Sequence, residues 1–135
     1  MKRKIFATLS TLSLATGLLM VGAAPSFATA NVVCRSSSYR GLVLVPTVSD
    51  GGSPNCYLIK GNTGDGVFAL QRALFGCEGQ SSLVLDSSFG PATQQALKNF
   101  QAAHGLVADG QYGRLTHNAM LFESEGYACI SDGSF

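Results

Sequence analysis

The sequence lacks the residue patterns on which most hydrolytic and metal-dependent sites depend. Its two histidines, His104 and His117, form neither a His-Glu-x-x-His nor a His-x-His pattern, so no metal site is predicted. There is no Gly-x-Ser-x-Gly elbow. The carboxylates Glu123 and Glu125 are two positions apart at a predicted helix end, so they point to different sides and make a poor glycosidase pair. We therefore predict no catalytic residue, no cofactor and no enzymatic activity.

Clustered positive charge is also lacking, except at the very start of the chain. Three basic residues at positions 2–4 precede an apolar stretch from Ile5 to Ala24, and Ala28-Thr29-Ala30 fits the small-x-small cleavage rule. An uncleaved membrane anchor is the alternative, but the most apolar part, Leu18 to Ala24, is short for a span. We predict that residues 1–30 are a cleaved signal peptide and that the protein is secreted.

The remainder of the chain is slightly acidic. It keeps all eight acidic residues and six basic ones, for a net charge of about −2. A nucleic-acid partner would require a clustered basic face, and a membrane surface would require a polybasic segment. Neither partner is predicted. The six basic residues are Arg35, Arg40, Lys60, Arg72, Lys98 and Arg114.

Cys-x-x-Cys pairs are absent, although the chain has four cysteines at Cys34, Cys56, Cys77 and Cys129. Their wide spacing does not suit zinc, whereas an even number in a small exported chain is typical of disulfides. Four cysteines allow three connectivities.

The first residues after the predicted cleavage point show no helical period. Residues 31–55 carry two loop-like stretches around a β-rich run, Leu42 to Val45, which Pro46 interrupts. This run could be a short strand or an extended segment. We predict an N-terminal arm that leans on the domain and is tied down by a disulfide.

Three short helices are predicted, over residues 65–76, 91–104 and about 114–125. In the first, Val67, Leu70 and Leu74 make one apolar stripe. The second begins at a proline, which is favoured at a first helical position. In the third, Leu115, Ala119 and Phe122 are predicted to line one side. A glycine ends each helix: Gly76, Gly105 and Gly126.

An eight-residue pattern occurs twice between these helices. Residues 86–93, Asp-Ser-Ser-Phe-Gly-Pro-Ala-Thr, are matched by residues 109–116, Asp-Gly-Gln-Tyr-Gly-Arg-Leu-Thr. In each copy the aspartate can bond its own backbone in a turn, the aromatic residue can pack inward, and the glycine suits the point where a helix begins. Phe-Gln-Ala-Ala-His-Gly-Leu, residues 100–106, lies between them.

These features resemble the peptidoglycan-binding domain of bacterial cell-wall hydrolases. The order is the same: a Gly-x-x-Gly-x-x-Val-x-x-Leu-Gln start at residues 61–71, then the two Asp-x-x-aromatic-Gly-x-x-Thr turns with Phe-Gln and Gly-Leu between them. The resemblance covers about two thirds of the chain after residue 30. Ser87 departs from it, since the family usually has glycine after this aspartate.

The resemblance implies a small all-α fold. We predict a three-helix orthogonal bundle, disulfide-bonded, with a short extended N-terminal arm. The domain would span residues 56–126, between the arm at 31–55 and a C-terminal tail at 127–135. Of the connectivities, we predict Cys34–Cys56, which would hold the arm, and Cys77–Cys129, which would join the end of the first helix to the segment after the third.

The resemblance also implies a partner, the glycan or stem peptide of peptidoglycan, and a location in or on the cell wall. An accessory, targeting or inhibitory subunit that binds a separate cell-wall hydrolase is the alternative. A wall site would combine an apolar wall, hydrogen-bonding groups and a cation. We favour the surface at Tyr112 and Arg114, with the Tyr112 ring as the wall. The further polar candidates are Gln71, Arg72, Gln101 and Asp109.

Overall fold

The fold contains strands as well as helices. The computed structural model describes residues 32–133, and two antiparallel two-stranded sheets, β1–β2 and β3–β4, accompany three helices. The predicted all-α bundle is therefore wrong. In chain order the elements are β1 Ser36–Arg40, β2 Val43–Thr47, α1 Asp65–Gly76, α2 Pro91–Ala103, α3 Arg114–Ala119, β3 Phe122–Glu123 and β4 Cys129–Ile130.

The predicted extended arm is a β-hairpin that contributes to the core. Strands β1 and β2 pair from Ser36 with Thr47 to Arg40 with Val43, around a turn in which Gly41 has a φ of 59°. The side chains of Val43 and Val45 are fully buried, because alternate residues of a strand face the same side. The hairpin packs against α1, so it is part of the domain and not an appendage.

The N-terminal segment also meets the first turn of α1 at very short range. A Cβ atom on Gly66 would lie 2.4 Å from the carbonyl oxygen of Cys34. Only glycine allows this approach without a shift of one backbone against the other. The glycine-rich start of α1 is thus fitted to the segment that precedes the hairpin.

Helices α1 and α2 follow the sequence prediction. α1 runs over Asp65–Gly76, and α2 begins at Pro91 and ends at Ala103, two residues before Gly105 with a φ of 68°. Both helices bury one face, which includes Leu70 and Leu74 in α1 and Leu97 and Phe100 in α2. The hydrophobic period predicts both helices correctly because none of their residues pairs as a strand with another segment.

Helix α3 is shorter than predicted. It ends at Ala119, and Met120 already has extended backbone, with φ −87° and ψ 142°. Phe122 and Glu123 pair with Ile130 and Cys129 instead of continuing the helix. The predicted apolar side is also wrong: within α3 Leu115 is 49% exposed while Thr116 and His117 are buried, and Phe122 is buried as a strand residue.

Both predicted disulfides are confirmed. Cys34–Cys56 joins the segment before β1 to the residue before Tyr57, where Val33 and Tyr57 form a parallel bridge. Cys77–Cys129 joins the end of α1 to β4. The C-terminal segment therefore returns to the domain through a covalent link.

One continuous core joins hairpin, helices and turns. Its largest fully buried apolar side chains are Tyr112, Phe89, Phe100, Phe122, Leu58, Leu70, Leu74, Leu97 and Met120. Phe89 and Tyr112 are the aromatic residues of the two repeated turns, and both pack inward as predicted. Within residues 32–133 no helix is long and apolar enough to cross a membrane. The predicted signal peptide, residues 1–30, lies outside the described residues.

Candidate functional site

A buried glutamine holds the first repeated turn. The side-chain N–H groups of Gln71 point at Asp86 Oδ1, the carbonyl oxygen of Ser88 and Thr93 Oγ1, at 2.9, 3.0 and 3.0 Å. In return, the backbone N–H of Ser87 donates to Gln71 Oε1 at 2.9 Å. Gln71 is fully buried, and the turn supplies the hydrogen-bond partners that its buried amide needs.

The second turn is held in the same way by Gln101 of α2. Its Nε2 lies 2.9 Å from Asp109 Oδ1, 2.9 Å from the carbonyl oxygen of Gln111 and 3.2 Å from Thr116 Oγ1. The backbone N–H of Gly110 donates to Gln101 Oε1 at 2.8 Å. The sequence repeat is thus a repeat of one hydrogen-bonded unit, which we call the glutamine clasp: a buried glutamine together with the turn that it holds.

The aspartates act within these turns. Asp86 Oδ1 accepts from the backbone N–H of Ser88 at 2.9 Å, and Asp109 Oδ1 accepts from that of Gln111 at 2.8 Å. The hydrogen bond from Gln71 is the main reason why the pKa of Asp86 is lowered, since it favours the charged carboxylate. The turn-forming role predicted for the aspartates agrees with this geometry.

The two clasps differ at the residue after the aspartate. Ser87 adopts a left-handed conformation with φ 60°, much like the 71° of Gly110. A Cβ atom at Gly110 would lie 2.7 Å from Gln94 Cγ. The departure from glycine at position 87 therefore keeps the shape of the turn, whereas a side chain at 110 would also displace the side chains of Gln94 and Lys98.

Tyr112 and Arg114 do not share a surface. Tyr112 is fully buried, its hydroxyl lies 2.6 Å from Nδ1 of His117, and burial raises its pKa well above the usual value. Its ring is therefore not at the surface as an apolar wall. Arg114, the first residue of α3, is exposed.

Arg72, the residue after Gln71 in α1, contacts β3 instead of the first repeated turn. Its Nε is 3.0 Å from Glu123 Oε2 in a partly exposed ion pair, with 25% and 20% of the two side chains exposed. The hydrogen bond to Glu123 is the main reason why the pKa of Arg72 is raised. Gln71 and Arg72 are thus adjacent in sequence but serve different parts of the fold.

His117 belongs to a buried polar cluster. Besides the contact with Tyr112, its Nε2 lies 3.1 Å from Asp132 Oδ1, which brings the C-terminal segment onto α3. Burial lowers the pKa of His117. The carboxylate of Asp132 partly raises this pKa again, and the charge of Arg40 lowers it further. Within residues 32–133, no three His, Cys, Asp or Glu side chains are grouped so as to hold a metal ion.

Sequence reasoning missed a groove beside α2. Two adjoining pockets, of about 200 and 230 Å³, lie between residues 80–88 and residues 90–99, and they share Ser82, Leu83 and Ala92 as lining residues. We call them together the α2 groove. The sequence signal for it is the long connection between α1 and α2, residues 77–90, which carries an apolar run, Leu83 to Leu85, outside any helical period.

Comparison with known proteins gives one family. Residues 63–120 match the model of the family described as a putative peptidoglycan binding domain. Among solved structures, the crystal structure of the SleB N-terminal domain is similar at 37% sequence identity and a TM-score of 0.43, over 46% of this chain and 84% of that chain. No curated protein matches. The resemblance found in the sequence is confirmed, and both repeated turns fall within the matched residues.

Proposed function

Because the chain belongs to the peptidoglycan-binding domain family through residues 63–120, we propose that this protein is an exported, non-catalytic module that binds the bacterial cell wall. The match to that family carries the proposal. The two glutamine clasps tie both turns of the matched segment to α1 and α2, and a binding surface is best built on elements held in this way.

The contacts that His117 and Glu123 make within the fold support a non-catalytic role. His117 is buried between Tyr112 and Asp132, and Glu123 is paired with Arg72. A general acid or base has to reach a substrate proton. These side chains instead make contacts within the fold.

Export is supported by two independent features. The sequence begins with a basic segment, an apolar stretch and a small-x-small site, and the folded part contains two disulfides. Disulfides of this kind persist in oxidising compartments. N-terminal sequencing of the secreted protein should give Asn31 as the first residue, and recovery of the protein in the cytoplasm with Met1 retained would contradict export.

Sedimentation with insoluble peptidoglycan tests the function directly. The purified protein should pellet with the wall polymer in a saturable manner, and a denatured sample should not. A supernatant that retains all of the folded protein would overturn the proposed function. Adding a separate wall hydrolase to the same assay tests the alternative accessory role, which stays a prediction.

Of the residues predicted to bind ligand, Arg114 is the exposed cation near the second turn. We place a stem-peptide carboxylate against it, because a guanidinium pairs well with carboxylates. Arg114→Ala should weaken sedimentation several-fold. Arg35→Ala removes the same charge at an exposed position outside residues 63–120, the part that matches the family. This variant should sediment like the parent.

A further inference from the structure

The α2 groove offers a nearly uncharged surface. Of the residues that line its two pockets, Asp86 is the one ionisable residue. Its Oδ1 already accepts hydrogen bonds from Gln71 and from the backbone of Ser88. No lysine or arginine lines these pockets, so the groove offers no side-chain cation to a ligand carboxylate, and the carboxylate of Asp86 repels one. A neutral, polar ligand suits it better than an anionic one.

Neutral amides form one wall of the groove. Gln95 Nε2 donates to Asn99 Oδ1 at 2.9 Å, and Asn99 Nδ2 donates to Gln80 Oε1 at 3.4 Å. A side-chain amide has two N–H groups and an oxygen with two lone pairs. Each of these amides thus has more hydrogen-bonding capacity than the row itself uses, and the remaining groups are available to a ligand.

Apolar atoms form the floor. Leu83 is 7% exposed and Ala96 is 6% exposed, and Pro91 lines the second pocket. An apolar floor beside oriented amides matches a sugar ring, which has C–H faces and polar edges. An N-acetyl group adds an amide that can pair with the amides of the wall.

We propose that the α2 groove binds the N-acetylated sugar rings of a glycan strand, one pocket accepting one ring and the adjoining pocket the next. This inference rests on the proposed wall-binding function and gives it a ligand class. The two pockets share Ser82, Leu83 and Ala92, so a ligand that passes from one to the other is continuous, as a polysaccharide is.

Ala92 provides the sharpest test, because it is exposed, lies in the first turn of α2 and lines both pockets. Ala92→Gln fills the groove without a change of charge, and glutamine is a good helix former. Ala102→Gln is the matched control, at an exposed position near the other end of α2. Circular dichroism and urea unfolding verify that both variants fold.

The ligand should be peptidoglycan glycan strands from which an amidase has removed the stem peptides, with an oligomer of β-1,4-linked N-acetylglucosamine as the soluble probe in calorimetry. The parent and Ala102→Gln should bind both, and Ala92→Gln should bind roughly tenfold more weakly. Equal binding by the two variants would overturn the groove as the site. Binding that requires the stem peptide would overturn the glycan as the ligand.

The two proposals fail in different ways. If the parent does not sediment with intact peptidoglycan, the wall-binding function is wrong. If the parent sediments and Ala92→Gln sediments equally well, the function stands and the assignment of the groove is wrong.

Discussion

At the scale of single residues, Gln71 and Gln101 illustrate what a polar side chain does when it is fully enclosed. Each receives a backbone N–H and donates to side-chain and backbone oxygens of one turn. The sequence predicts both as candidate ligand-binding residues, because they are polar residues near the repeated motifs. Burial of a glutamine depends on whether a distant turn offers it partners, and local sequence contains no such information.

Gln101→Ala should therefore destabilise the protein far more than an ordinary glutamine substitution. The buried N–H of Gly110 loses its acceptor, and Asp109 loses a donor. We expect the free energy of unfolding to fall by about 3 kcal/mol, measured by urea unfolding. Gln95→Ala, at an exposed position of the same helix, should cost less than about 0.5 kcal/mol. Equal costs for the two would contradict the clasp.

His117 gives the molecule a predictable response to acid. Burial lowers the pKa of His117 in the folded state. At pH values just below the ordinary histidine pKa, the unfolded state therefore binds more protons than the folded state. The free energy of unfolding should therefore fall as the pH drops below about 6.5, and level off below the folded pKa. The groups around the ring are Tyr112, Asp132 and Arg40.

Unfolding curves between about pH 7.5 and pH 5 check this for the parent and for His117→Gln. The variant cannot take up that proton, so its free energy of unfolding should depend less on pH over this range. The same slope in both proteins would show that His117 is not the group responsible.

At the scale of elements, the disulfides differ in access. Cys34 and Cys56 are fully buried, whereas Cys129 is exposed. A mild reductant should open Cys77–Cys129 first, and alkylation followed by peptide mapping would identify the labelled pair. In denaturant the two should react alike, because burial is then lost. Earlier labelling of Cys34 and Cys56 in the folded protein would contradict this order.

Helices α1 and α2 could be predicted because the hydrophobic period and a glycine end agree in both, and α2 also begins at a proline. The position at which α3 ends could not be predicted from the sequence. Leu115, Ala119 and Phe122 are spaced as in a helix, but Phe122 pairs with Ile130, which Cys129 holds beside the end of α1. A contact distant in sequence overrides the local period there.

At the scale of the whole molecule, the family segment does not account for the fold by itself. The hairpin β1–β2 lies outside residues 63–120 and yet supplies Val43 and Val45 to the core. The β-rich run was recognised in the sequence, but a lone run cannot show whether it pairs or what it covers. For the binding surface, the sequence indicated the turns but not the α2 groove, which arises only when the connection folds against α2.

Val43→Ala should therefore lower the free energy of unfolding by about 2 kcal/mol, through lost burial and an incompletely filled cavity. Leu42→Ala is the matched control, because Leu42 is 61% exposed at the adjacent position, and it should cost less than about 0.5 kcal/mol. Urea unfolding measures both. A small effect at Val43 would mean that the hairpin is an appendage after all.

Each glutamine clasp joins a glutamine to a turn later in the chain. It fixes the two ends of the intervening segment but not the length of that segment. Gln71 and Asp86 are 15 positions apart, whereas Gln101 and Asp109 are 8 apart, and the same unit forms in both. The clasp therefore does not set the length of the longer connection, and we expect its exposed residues to accept exchange while Leu83 stays in the core. The exposed part of the connection between α1 and α2 can be treated as a variable loop on a constant framework. Grafting other loops at this position is a route to new ligand specificities.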